Sequence, residues 1–139
     1  MRFAIEKMAI GNGRRMQALF ISQNITISVE GDTLFCNWMG YQDEQALRSA
    51  ALLMHRFFIE YNCSKILNDN TEVVGPWNHS TAWATDEWFP SMMEAGLKKF
   101  AWVFPNDFFA QVSANRVIPT SPVIKAFTSR KAAANWLTY

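Results

Sequence analysis

The sequence predicts an α/β fold: one mixed β-sheet of about four or five strands with helices packed on it, in the order β-β-α-β-α-β-α-β-α. Three observations carry this. Ile25, Ile27 and Val29 alternate with Thr26 and Ser28, the period of a half-buried strand. Leu47, Ala51, Met54, Phe58 and Tyr61 recur at steps of three and four, the stripe of an amphipathic helix. Lys65-Ile66-Leu67 and Lys99-Phe100-Ala101-Trp102-Val103-Phe104 are short, nearly continuous apolar runs, as strands buried on both faces require. A hairpin followed by alternating strands and helices gives a sheet with a parallel portion and right-handed crossovers.

Taken in order, residues 1–15 fit no period, and Gly11-Asn12-Gly13 reads as a turn or joint, so they are expected to be an N-terminal appendage to a domain spanning 16–139. Leu19 to Val29 is read as the first strand, Glu30-Gly31-Asp32 as a hairpin turn and Thr33 to Met39 as the returning strand. Asp43 and Glu44 place negative charge at a helix start, and Asn62 is a left-handed cap at its end. Ser64 to Asn70 is the central strand, followed by a loop through Gly75-Pro76 to Ser80. Thr81 to Ala95 is a second helix, in which Pro90 marks a kink or a new first turn. A short helix from Pro105 to about Asn115, a strand from Val123 to Phe127 and a terminal helix capped by Ser129, with Ala132, Ala133, Trp136 and Leu137 inward, complete the chain.

Composition narrows the function classes. The chain has 139 residues, 50% apolar and 18% charged, with a net charge of +1. That suits one packed domain, and no basic run is longer than a pair such as Arg14-Arg15, so nucleic-acid binding is not expected. No apolar stretch reaches bilayer length, and a cytoplasmic location is expected, with Cys36 and Cys63 as buried free thiols. No cofactor and no metal are expected: His55 and His79 lie at no ligand spacing from a cysteine or from each other, and His55 sits one position off the helical stripe. Nucleophile motifs are absent, Gly11-Asn12-Gly13 has no strand before it, and no catalytic residue is assigned.

Two clusters remain. Asn68, Asp69 and Asn70, with Thr71, end the central strand, where open α/β sheets keep their sites. They either bind a polar ligand head or a partner backbone, or satisfy loop N–H groups. Trp77, Trp83 and Trp88 crowd the next segment; core packing is the default for such side chains, and a cleft or interface is the functional alternative. Trp83 and Trp88 are five apart, a spacing that does not share one α-helical face.

Several words of the sequence carry a resemblance: Trp38-Met39-Gly40-Tyr41, Lys65-Ile66-Leu67-Asn68-Asp69-Asn70-Thr71, Trp77, Trp88-Phe89-Pro90 and Ala95-Gly96-Leu97-Lys98-Lys99-Phe100-Ala101-Trp102. Over residues 16 to 138 the chain resembles the STAS fold of anti-sigma-factor antagonists, and more closely the stand-alone bacterial proteins grouped as STAS-like or CRAL-TRIO-like. The resemblance implies a non-enzymatic regulatory module acting through a protein partner, or a carrier or sensor of a small amphipathic ligand. An enzyme of unrecognised type is the third reading, and a homodimer is expected from the high apolar content. STAS switches carry a phosphorylatable serine in an Asp-Ser-Ser-Gly context after the central strand. Here Ser80 and Thr81 occupy that place without the aspartate or glycine, and Ser80 reads more simply as a helix N-cap.

Overall fold

The computed structural model describes residues 7–10, 14–118 and 121–138. The α/β class holds, with a larger sheet than expected. Seven strands lie side by side in chain order: β1 (Lys7–Ile10), β2 (Arg14–Ile21), β3 (Ile25–Glu30), β4 (Thr33–Gly40), β5 (Lys65–Val73), β6 (Lys99–Val103) and β7 (Ile124–Phe127). The first four pair antiparallel, and β4 to β7 run parallel. Between them come α1 (Glu44–Glu60), a composite helical run from 78 to 94, and α4 (Phe108–Val117); α5 (Arg130–Leu137) ends the domain.

The expectation of four or five strands therefore undercounts. Part of the segment expected as an appendage supplies the edge strand β1 and the start of β2; Gly11-Asn12-Gly13 lies outside the described residues. The single strand expected from Leu19 to Val29 is two strands around a tight turn. Ser22 makes that turn: its backbone N–H and its hydroxyl both donate to the Ile25 carbonyl, while its Oγ accepts from the N–H groups of Asn24 and Ile25. No Gly or Pro announces it, because a serine hydroxyl does the work of the turn.

Sequential parallel strands joined by crossovers of one hand place their connecting helices on one face. α1, the composite run and α4 cover that face, over a core that includes Met54, Phe58, Ile66, Met92, Phe100, Trp102 and Ala114. Among the described residues only α5 covers the other face, packing Ala133 and Leu137 on Leu67, Ala101 and Val103; Ala132, expected inward, is exposed. α5 is tied down at both ends. Ser129 caps it by accepting from the Ala132 N–H, Arg130 pairs with Asp69 at 2.9 Å, and Lys99 Nζ donates to the Trp136 carbonyl at its C-terminal end.

The α1 helix starts and stops as its sequence requires. Asp43 accepts from the Ala46 N–H, and beyond the last turn Asn62 adopts φ 53°, the left-handed conformation that asparagine tolerates. β5 is the central strand, with β4 and β6 as parallel neighbours, and Leu67 within it is fully buried. Leu67→Ala is expected to cost about 2–5 kcal/mol in a denaturant titration, the range for removing a buried leucine from a packed core. A loss below about 1 kcal/mol would take Leu67 out of the structural core.

Candidate functional site

β5 holds Asn68, Asp69 and Asn70 as expected and continues to Val73, so Thr71 is a strand residue and not the start of a loop. Asn68, Asp69 and Asn70 are each buried to about 5% exposure. The pairing with β4 slips between Asn37 and Met39, and this bulge falls within the polar run. Asp69 Oδ1 accepts from both the N–H and the hydroxyl of Thr71, satisfying the backbone where the regular ladder breaks.

Period two then splits the cluster. Asn68 and Asn70 point to the helix-rich face. Asp69 points to the α5 face, where it meets Arg130. Residues 68–71 are thus divided between the two faces: Asp69 takes the backbone-satisfying role, bonding Thr71 at the bulge and anchoring α5 through Arg130. Asn68 and Asn70 line a cavity of about 60 Å³. Its walls are Trp38 from β4, Val73 from β5, Phe100 and Trp102 from β6, Leu47 and Met54 from α1, and Trp77, Trp83, Ala84, Trp88 and Phe89 from the segment after β5, with Gln42 beside them. It therefore sits toward the C-terminal ends of the parallel strands. Among the described residues no ionisable side chain lines it.

All three tryptophans expected from the sequence reach this wall, and Trp38 and Trp102 join them. The composite run explains how. A 3-10 turn (Asn78–Ser80) leads into α2 (Thr81–Trp83), then a π-helical turn (Ala84–Trp88), then α3 (Phe89–Glu94). Pro90 has no N–H to give to the Asp86 carbonyl, and in a regular helix its ring would press on that carbonyl. The π turn removes the conflict, with the Phe89 N–H bonding back to Ala84. Its wider winding brings residues five apart onto one side, so Trp83 and Trp88 share the cavity wall contrary to the α-helical expectation.

The entry to this run is held by polar contacts. The Trp77 N–H donates to Ser113 Oγ, whose hydroxyl donates to Asn78 Oδ1. Asp107 caps α4 and also accepts from the Gly75 N–H. Gly75 has φ +75°, and a Cβ there would lie 3.2 Å from the Tyr41 ring, so both conformation and space favour glycine. Ser80 is fully buried and stands at the N-cap position of α2, as expected, but its side chain makes no cap bond. His79 Nε2 lies 2.9 Å from the Gln42 carbonyl, which only accepts, so Nε2 carries the proton and Nδ1 accepts from the Ser80 hydroxyl. Arg48 donates to the His79 carbonyl and lies over the Trp83 ring. Thr81, the other phosphorylation candidate, donates its hydroxyl to the Asn78 carbonyl.

The polar groups of the cavity fall into two sets. Trp38 Nε1 donates to Asn68 Oδ1 at 2.8 Å, Asn68 Nδ2 donates to Asn70 Oδ1 at 3.1 Å, and Trp88 Nε1 donates to the Ala51 carbonyl at 2.8 Å. Trp77 Nε1, Trp102 Nε1 and Gln42 Oε1 are buried without a hydrogen-bond partner among the described residues. Buried polar groups are nearly always paired, so three such atoms on the residues of one cavity mark it out. Gln42 and Trp102 escaped sequence reasoning. Gln42 sits in an unremarkable stretch before a helix, and Trp102 reads as an ordinary core residue of a buried strand.

Comparison with known proteins finds no matching family model, no matching curated protein and no matching solved structure. Among the described residues no helix is long and apolar enough to cross a membrane, and no three His, Cys, Asp or Glu side chains gather as metal ligands. His55 is half-buried on α1.

Cys36 and Cys63 are free and buried. Burial, with Cys63 nearby, pushes the Cys36 thiol well up, and burial with Asp32 nearby pushes Cys63 up to about 12. Both thiols therefore stay protonated at neutral pH, where the thiolate is the reactive form. Iodoacetamide at pH 8 is expected to label neither in the folded protein and both after denaturation, read by intact mass. Rapid labelling of the folded protein would show that the pairing around β4, or the connection from α1 to β5, opens readily.

Proposed function

We propose that the protein is a carrier or sensor of a small ligand with an apolar body and a polar head, bound in the tryptophan-lined cavity. The observation that carries this reading is an apolar, tryptophan-lined cavity at the C-terminal ends of the parallel strands, three of whose lining residues, Trp77, Trp102 and Gln42, each keep a buried polar atom without a partner. An apolar pocket with a few placed polar groups is the usual composition of a small-molecule site. A cavity kept only by imperfect packing has no need of polar atoms left without partners, each of which costs about 1–3 kcal/mol when buried. The walls hold neither a nucleophile nor an ionisable group, so the chemistry available is recognition.

The second reading, a STAS-like regulatory module working through a protein partner or a homodimer, draws support from a different surface. Phe108 and Phe109 are 68% and 58% exposed, and Tyr41 and Val74 are exposed near the Gly75–Asp107 contact. Buried Ser80 gives no support to a phosphoswitch in the folded protein.

One variant separates the readings. Ala84 lies on the cavity wall, and Ala84→Val adds two methyl groups there. A screen of small organic fragments followed by tryptophan emission is expected to give ligands of the wild type that Ala84→Val rejects. The stability of the variant should stay within about 1 kcal/mol of wild type or rise, as cavity filling often does. Fragments that bind both proteins alike, or none that bind the wild type, would contradict the carrier reading and leave the surface module.

A further inference from the structure

The cavity has one wall unlike the others. Every residue that lines it is buried except Trp83, which is half-buried. The other indoles of the wall are fixed. Trp38 and Trp88 are each held by a hydrogen bond from Nε1 into the fold, and Trp77 and Trp102 lie against each other with ring centroids 6.4 Å apart. Trp83 packs on the core as a partly buried side chain, but among the described residues its indole has neither a hydrogen bond nor a ring partner. What holds it from outside is the Arg48 guanidinium, 5.2 Å from the ring centroid.

The backbone under Trp83 suits a moving part. α2 is three residues long, set between a 3-10 turn and a π turn, and its N-cap residue Ser80 gives no side-chain cap bond. Such changes of winding inside a helical run often mark a hinge. Arg48 reaches over from α1: its Nη2 donates to the His79 carbonyl at 3.0 Å and lies 3.3 Å from Glu44 Oε2, while its side chain stays 35% exposed. A guanidinium over an indole at such a place is a weak contact, enough to favour one ring position and little enough to break thermally. A guest larger than water cannot pass close-packed walls without displacing one of them, and the ring with the fewest ties costs least to displace. We infer that, within the proposed ligand site, Trp83 is the gate of the cavity and Arg48 is the latch that holds it shut. The indole turns outward into the solvent it already touches, and the strands, α1 and the other tryptophans stay in place.

The test uses the full chain with xenon as the guest, a single apolar atom that suits a cavity of about 60 Å³. Xenon-129 saturation-transfer NMR reads the exchange rate, and a xenon titration followed on protein methyl signals reads Kd. The wild type is compared with three variants. Arg48→Met keeps the aliphatic stem and removes the guanidinium, Trp83→Ala removes the ring, and Arg56→Met is an exposed control on the same helix. The expected result is exchange about fivefold faster in Arg48→Met, faster still in Trp83→Ala and unchanged in Arg56→Met. In Arg48→Met, Kd should stay within about twofold of wild type, because a latch speeds entry and exit alike, whereas loosened packing changes Kd along with the rate. Xenon binding with wild-type exchange in both Arg48→Met and Trp83→Ala overturns the gate and keeps the ligand site. Faster exchange in Arg48→Met with Kd weakened in proportion also overturns it, since the residue then only supports the wall. No xenon binding by any of the four proteins overturns the ligand site, and the gate with it.

Discussion

Everything in this fold has to accommodate a central strand that carries three polar residues in a row through the interior. Asn68, Asp69 and Asn70 lie between β4 and β6, each close to fully buried. A carboxamide or carboxylate there is tolerable only if its hydrogen bonds are made within the protein. The pleat sends them to opposite faces, and each face answers differently. On the α5 side, Asp69 closes the bulge onto Thr71 and receives Arg130, which fixes the start of α5. On the other side, Asn68 and Asn70 bond to each other, and Asn68 also accepts from Trp38, which locks an indole of the neighbouring strand in place. One alternation thus produces a structural staple beneath the sheet and a polar floor above it.

The aromatic wall over that floor depends on a single imino acid. Pro90 forces a π turn, and the π turn aligns Trp83 with Trp88. The rings then continue edge-to-face into the sheet: Trp88 against Phe89 and Phe100, and Phe100 against Trp102. Such contacts hold large side chains in defined orientations, so the cavity they leave has a fixed shape. π turns of this kind are frequent at functional sites, where a local departure from α geometry places side chains that regular winding cannot.

Much of the frame was legible in the sequence. The stripe from Leu47 to Phe58, the Asp43 cap, the left-handed Asn62 and the runs around Leu67 and Ala101 are local signals, and the structure keeps them. The losses have physical causes. β2 was hard to see because only Leu19 of its residues 16–21 is fully buried, and a bulge between Ala18 and Phe20 breaks the alternation. β5 was cut short at Asn70 because a polar run into Thr71 looks like the end of a strand, and only the parallel neighbour shows that Glu72 and Val73 rejoin the ladder beyond the bulge. The site was half legible. The tryptophans after β5 and the asparagines on it were visible as residue types, but the division of residues 68–71 between two faces, and the roles of Gln42 and Trp102, belong to tertiary placement.

The central claim is that the fold leaves certain buried indole N–H groups without a partner while spending others on itself. Denaturant unfolding of two variants, Trp38→Phe and Trp102→Phe, tests it without any ligand. Both indoles are similarly buried, at 7% and 3% exposure, so the packing lost is comparable and the difference isolates the N–H group. Trp38→Phe strands the Asn68 carbonyl oxygen, whereas Trp102→Phe removes a donor that had no partner. The account predicts that Trp38→Phe is the more destabilising by about 1–3 kcal/mol. Equal losses, or a larger one for Trp102→Phe, would mean that the Trp102 N–H is bonded within the fold.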